Sequence, residues 1–205
     1  TALMPVVDGV VCGQTTTNQP TLWFYSPMAL TPDQPISLVV QDKADRYVYQ
    51  TTLHVDMAPG LISIQLPDEN LPEEKLLDEK SGAVREGDVP VILPVAQPYH
   101  WTFFIECDRH RLASSISVSG TLQKTEVAGL APLSGDLDWN DVEGAIALAQ
   151  SYASAGIRHD ALTILGELNR HHPSNPQVRA TLDALLNQAG LEDITAIPTA
   201  IQIAG

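Results

Sequence analysis

The chain has 205 residues, of which 44% are hydrophobic and 18% are charged, and its formal net charge is −14 at pH 7. This composition is typical of a folded globular protein and excludes wholesale disorder. Only 11 Lys and Arg residues accompany 25 Asp and Glu residues, so we expect no nucleic acid partner, because binding a row of phosphates needs clustered cations. No run approaches the roughly 20 apolar residues of a membrane-spanning helix, so we expect no membrane span.

Residues 1–20 are interpreted as an N-terminal extension that contains the first cysteine, Cys12. The chain begins at Thr1 without an initiator Met or an apolar signal segment, so we expect that any targeting segment has been cleaved off or is not part of this sequence. The second cysteine is Cys107. Two cysteines fit one disulfide in an oxidising compartment and fit two buried thiols equally well. A Cys12–Cys107 disulfide therefore remains one of two alternatives.

Residues 21–127 show the period-two alternation of β-strands. Short strands separated by turn residues, with no helix between them, favour an antiparallel β-sandwich of immunoglobulin-like or jelly-roll-like type over a βαβ fold. Trp23 and Tyr25 lie in the first of these strands. They could form an aromatic platform for a peptide or a glycan, although such residues belong more often to the core of a sandwich and its rim.

Residues 67–88 interrupt the alternation with eight acidic and three basic side chains. We interpret this segment as an exposed acidic loop, which is either a solvated excursion or a functional element.

The period changes to that of a helix after a linker at residues 128–138. Residues 139–190 are predicted to form three helices of a small helical module. Asp138 or Asn140 can cap the first helix, which carries Tyr152 on its apolar face and ends at Gly156. The second helix runs from His159 to Arg170, and the third follows Asn175-Pro176, a cap residue before a first-turn proline.

Residues 191–205 form an apolar tail that Pro198 interrupts, so one continuous helix is excluded. Its isoleucines predict contact with a protein surface: Ile194, Ile197, Ile201 and Ile203. The tail either lies along its own domain or extends the open sheet edge of a neighbouring subunit. The apolar segment from Met4 to Val11 could act in the same way at the other end of the chain.

No phosphate-binding loop, nucleophile elbow, zinc-protease helix or CxxC pair occurs in the sequence. Cys107 with His100 or His110 is the best candidate for a catalytic pair, but the cysteine continues an apolar alternation that predicts an inert, buried sulfur. A metal bound by Cys107, Asp108 and His110 would require a bulge in the strand. We therefore predict no catalytic, cofactor-binding or metal-ligating residue, and no enzyme.

Six segments carry a family resemblance: Thr1–Pro5, Gln19–Pro27, Val40–Asp42, Val48–Leu53, Glu106–Asp108 and Ala155–Leu162. They resemble a cyanobacterial family catalogued only as a domain of unknown function. Because members of that family typically carry an export signal, the resemblance implies a periplasmic or extracellular setting. It brings no known catalytic residues. The segment from Leu148 to Pro176 also resembles a tetratricopeptide-type helical repeat.

The leading hypothesis is an exported, non-enzymatic structural or interaction protein that assembles with itself or with other envelope or extracellular proteins. Its basis is the absence of catalytic motifs together with the apolar ends of the chain. The alternative is a periplasmic or extracellular module that binds a peptide or a glycan through Trp23 or Tyr152. A hydrolase built from scattered residues ranks last.

Overall fold

The computed structural model describes residues 6–7, 10–67, 94–106, 115–188 and 201–204. The strands are β1 (Val6–Val7), β2 (Val10–Thr15), β3 (Thr21–Ser26), β4 (Ile36–Gln41), β5 (Tyr47–Leu53), β6 (Gly60–Gln65), β7 (Pro98–Ile105), β8 (Ile116–Lys124) and β9 (Ile201–Ala204). The helices are α1 (Val142–Ser154), α2 (Arg158–His171) and α3 (Pro176–Gln188). The predicted α+β class, with strands first and a helical module after them, is confirmed.

The strands form two sheets that face each other. The larger sheet has six strands in the order β1-β2-β8-β7-β4-β5, and the smaller has the order β3-β6-β9. Alternate residues of β4 and β7 point inward, where Phe24 of the small sheet stacks on Phe103 with ring centroids 4.0 Å apart. Trp101 meets the same Phe24 ring edge-on at 5.6 Å. These aromatic contacts hold the two layers together, because offset and edge-on ring pairs pack favourably.

Two strand pairs depart from the antiparallel arrangement that the sequence predicts. β2 runs parallel to β8, and β9 runs parallel to β6. Parallel neighbours require a long crossover instead of a hairpin. In both pairs, one strand lies near an end of the chain and its partner is far away in the sequence. Residues 1–20, expected as an extension, therefore contribute β1 and β2 to the large sheet.

The helix boundaries follow local capping. α1 begins after Asp141, whose side chain accepts a hydrogen bond from the Gly144 amide at 3.0 Å, so the cap is neither Asp138 nor Asn140. Gly156 follows α1 with a φ of 84°, which suits glycine because it has no Cβ. The predicted cap of α3 is confirmed, since Asn175 Oδ1 accepts from the Gln177 amide at 2.9 Å.

The helices pack on the sandwich within one continuous hydrophobic core. α2 contacts β2 of the large sheet and β3 of the small sheet. Trp23 of β3 lies against Gly166 of α2, where an added Cβ would come within 2.3 Å of the indole. α2 therefore packs against strands of both sheets.

None of the helices in the described ranges combines the length and the apolar composition needed to cross a membrane. The predicted acidic loop, apart from Pro67, lies outside the described residues, as does all of the predicted C-terminal tail that precedes β9.

Candidate functional site

The first candidate is a buried polar cluster where α2 meets β2. The carboxylate of Asp160 is 1% exposed. It accepts hydrogen bonds from Thr15 Oγ1 at 2.6 Å, from the Thr16 amide at 2.8 Å and from Thr16 Oγ1 at 2.5 Å. Burial raises the pKa of Asp160, and the three hydrogen bonds oppose that rise. Because every contact is made within the protein, the cluster attaches the helix to the sheet.

His159 lies beside this cluster and packs directly on Gly13 of β2. A Cβ at Gly13 would come within 1.9 Å of the imidazole Nε2 atom, so only glycine fits there. Burial lowers the pKa of His159 to about 4, and the nearby backbone of Thr21 offsets this only in part. Neither ring nitrogen makes a hydrogen bond of ordinary geometry within the described part of the chain. The imidazole is thus enclosed and neutral, without access to a substrate.

Trp23 and Tyr152, proposed from the sequence as ligand contacts, are 1% and 2% exposed. The Trp23 Nε1–H group donates to Thr163 Oγ1 at 3.3 Å, and the Tyr152 hydroxyl donates to the Ala131 carbonyl at 2.7 Å. The structure uses both side chains to fix the helices and the linker, so neither offers a surface to a ligand. Tyr25 of β3 is partly buried.

The second candidate is the outward surface of the six-stranded sheet, which we call the uncharged face. Inward residues such as Leu38 and Trp101 are buried, so their neighbours along each strand point outward. The strand register aligns the outward residues in three rows: Thr52-Ser37-Phe104-Ser117, Gln50-Val39-Thr102-Ser119 and Gln41-His100-Thr121-Cys12. Hydroxyl and amide side chains dominate these rows.

The uncharged face is notable because the chain as a whole is strongly acidic. Across the six described strands the only formally charged residue is Lys124, at the end of β8. None of the acidic residues that the structure describes therefore belongs to this sheet. Gln50, His100 and Ser119 are exposed. The hydroxyl groups of Ser37 and Thr52 form a hydrogen bond of 2.9 Å between neighbouring strands. Within the described strands this surface is polar and carries no acidic side chain.

The third candidate is a cleft with two lobes beside the helix–sheet junction. The outer lobe has a volume of about 760 Å³ and the inner lobe about 240 Å³, and the two share Thr17, Gln19 and Leu133. The linker residue Leu133 lines the cleft, and its amide donates to Thr16 Oγ1 at 3.0 Å. The polar cluster around Asp160 thus helps to position the linker side of the cleft.

The inner lobe is lined by an aromatic ring, Trp139, and by an ion pair. Glu167, which is 8% exposed, accepts from Arg170 Nε at 2.9 Å and from Arg170 Nη2 at 2.5 Å through the same oxygen, Oε2. Trp139 stacks on His171 with centroids 5.7 Å apart, and its carbonyl is joined to His172 Nε2 at 2.7 Å. These contacts hold the indole and the carboxylate in fixed positions around the lobe.

The remaining predicted residues are not brought into one site. Cys12 is exposed on β2, whereas Cys107 lies outside the described residues, so their disulfide stays a prediction. Ile194 and Ile197 also lie outside those residues. Ile201 and Ile203 belong to β9, whose backbone pairs with β6 of the same chain. Among the described residues, no three potential metal ligands converge.

Sequence reasoning did not identify either the uncharged face or the cleft. The face had a readable signal, since its strands alternate apolar residues with Ser, Thr and Gln and avoid Asp and Glu. The cleft had none, because residues from Thr17 to Arg170 meet there only through the tertiary fold.

A family model described as Domain of Unknown Function (DUF928) matches residues 1–199. The match covers nearly the whole chain, so the resemblance to a family catalogued only as a domain of unknown function is confirmed. No curated protein matches the chain.

Proposed function

We propose, since the chain belongs to the DUF928 family, that it is an exported, non-enzymatic structural protein that associates with a second copy of itself through the uncharged face. The observation that carries the proposal is the neutrality of that face on a chain of net charge −14. The resemblance to exported proteins supports a periplasmic or extracellular setting.

Charge determines which surfaces of two copies can meet. Two chains of net charge −14 repel each other, and salt screens that repulsion only beyond a Debye length of about 8 Å at physiological ionic strength. Contact through the uncharged face brings no carboxylates of the sheet together. Electrostatic repulsion between two copies is therefore weaker when they meet through the uncharged face than when they meet through their acidic surfaces.

The size of the face sets the expected strength of the contact. Five full-length strands at a spacing of about 4.8 Å, with rows covering about 20 Å, give roughly 500 Å² per copy. Two copies then bury about 1,000 Å², the lower limit for a specific interface. Because hydroxyl and amide groups can pair across such a face while few apolar groups are buried, we expect a reversible dimer with a Kd in the micromolar range.

The test places negative charge on the face without altering the core. Ser119→Glu combined with Gln50→Glu adds two carboxylates at exposed positions. A dimer formed through the face would then hold four additional negative charges that repel one another. We expect dissociation to a monomer in sedimentation velocity over about 1 µM to 1 mM. The matched control is Gln177→Glu combined with Asn187→Glu, which adds the same charge to exposed positions of α3.

The control variant should dimerise as the unmodified protein does. A protein that remains monomeric throughout the concentration series would contradict the proposal, as would a dimer that tolerates the face substitutions. A stable complex with a different protein in the fraction from which the native chain is isolated would also overturn it. Recovery of the chain in the cytoplasmic fraction alone would contradict the exported setting.

A further inference from the structure

We propose that the cleft is a binding site for a neutral oligosaccharide, with one sugar ring seated in the inner lobe against Trp139. This inference is independent of dimerisation, because the cleft shares no residue with the three rows of the uncharged face.

The charges of the cleft exclude an ionic ligand. The inner lobe contains one carboxylate and one guanidinium, Glu167 and Arg170, which neutralise each other as an ion pair. The outer lobe likewise has one residue of each sign, Lys124 and Glu126. Because each lobe has one residue of each sign, neither an anion nor a cation finds an excess of opposite charge there, and an anion also meets the negative field of the molecule. A polar but uncharged ligand fits this balance.

The polar groups of the inner lobe match the hydroxyl groups of a sugar. Both Arg170 contacts go to Oε2 of Glu167, so Oε1 remains to accept hydrogen bonds from a ligand. Gln19 and Gln65 add amide groups that both donate and accept. The carboxylate accepts hydrogen bonds, and the amides both donate and accept them. Neighbouring sugar hydroxyls, which also donate and accept, can therefore pair with these groups.

Trp139 supplies the apolar surface that a sugar ring requires. One face of the indole is occupied by the parallel ring of His171, and the residue still lines the inner lobe. The ring is partly exposed and is held before any ligand arrives, which reduces the entropy cost of binding. An amphipathic aromatic ring of this kind packs against the C–H face of a pyranose.

The volumes indicate one ring in the inner lobe and further units in the outer lobe. The inner volume of about 240 Å³ equals the space of about eight water molecules, which suits one sugar ring better than several peptide residues. The outer lobe, at about 760 Å³, continues past Thr17 and Gln19. A linear oligosaccharide therefore fits the cleft with its terminal ring innermost.

Tryptophan fluorescence provides a direct measurement. Two of the three tryptophans, Trp23 and Trp101, are 1% exposed, so a ligand in the cleft changes mainly the emission of Trp139. The full chain is titrated with neutral hexasaccharides of glucose, mannose, xylose or N-acetylglucosamine. An oligogalacturonate and a neutral glycine–serine hexapeptide serve as the charged and peptide comparisons.

We expect saturable binding of at least one neutral hexasaccharide and no binding of either comparison ligand. Trp139→Ala should weaken binding at least tenfold, and Gln65→Ala about fivefold, both followed by calorimetry so that the readout does not depend on the indole. Tyr47→Ala, which removes an aromatic that is 69% exposed on β5, should leave the affinity unchanged.

Gln65→Ala tests the site even if Trp139→Ala fails to fold. Absence of binding across the four neutral sugars would overturn the proposal. Preferential binding of the hexapeptide or the oligogalacturonate would do the same, as would an affinity that survives both cleft substitutions.

Discussion

The helix–sheet junction and the uncharged face are built in opposite ways from the same large sheet. At the junction a carboxylate, an imidazole and two threonines are buried in specific contacts, and Gly13 is required because a ring lies on its Cα. On the face, hydroxyl and amide groups repeat along the rows, and no single residue is required for the strand register. Substitutions at the junction should therefore change mainly the stability of the fold, whereas substitutions on the face should change the association that we propose.

The largest expected effect comes from filling the space over Gly13. Gly13→Ala places a Cβ within 1.9 Å of His159 Nε2, so the imidazole and the first turn of α2 must move. We expect a loss of about 3 kcal/mol in the free energy of unfolding, at the upper end for an overpacked core site. Urea denaturation followed by circular dichroism measures it.

Two variants sharpen this first prediction. Gly135→Ala is the matched control, because a Cβ there meets nothing within 4 Å, and it should change the stability by less than about 0.5 kcal/mol. Combining Gly13→Ala with His159→Ala should cost less than the two separate losses added together, because the clash is removed with the ring. Equal stability of Gly13→Ala and the unmodified protein would refute the assigned role of the junction.

The second expected effect is a loss of folding stability at acidic pH that is caused by His159. Its pKa is about 4 in the folded protein, below the ordinary 6.5, so the unfolded chain binds more protons between these values. The contribution of the neutral imidazole is fully present above pH 6.5 and is lost as the pH falls towards 4. The shift corresponds to at most about 3 kcal/mol. Urea midpoints measured from pH 7.5 to 4.5 test this dependence.

His159→Leu should flatten that pH dependence because it removes the titrating group. His54→Leu is the control, since His54 is exposed and bonded only at the surface to the Pro32 carbonyl. The raised pKa of Asp160 acts in the opposite direction, adding stability at low pH and losing it as the pH rises through the folded pKa. A His159→Leu curve as steep as that of the unmodified protein would exclude the imidazole as the cause.

The third and smallest effect is Asp160→Asn. An amide cannot accept from all three donors of Thr15 and Thr16, because one side of the group now carries N–H atoms. We expect a loss of about 2 kcal/mol in the free energy of unfolding. Thermal melts followed by circular dichroism measure the loss, and Asp136→Asn, at an exposed site, should be neutral in them. An unchanged melting temperature for Asp160→Asn would contradict the importance of these hydrogen bonds.

The sequence predicts the elements of this fold well where local chemistry determines them. Period-two alternation predicted strands within residues 21–127, where β3 to β8 lie, and Asn175 with Pro176 correctly marked the start of α3. It misplaced the first cap, because Asp138, Asn140 and Asp141 are all good caps and only Asp141 bonds to the Gly144 amide. Local preference cannot separate three acceptable neighbours.

The functional surfaces were harder to predict because they depend on pairing and burial. Trp23 and Tyr152 have the composition of ligand contacts, yet both are buried by helices whose docking no local pattern reveals. The partners of β2 and β9 were also missed, since a parallel pair leaves no turn signal in the sequence. The three rows of the face could have been found once the strand register was known.

The parallel pairing of β2 with β8 has a consequence for how the chain reaches its fold. β2 is synthesised early, but its sheet partner follows more than a hundred residues later, and Thr15 is separated from Asp160 by 145 positions. Contacts of such high sequence separation slow folding, because a long loop must close before they form. A nascent chain therefore carries β2 paired only with the two-residue strand β1 until β8 has been synthesised, and we expect it to depend on chaperones during that interval.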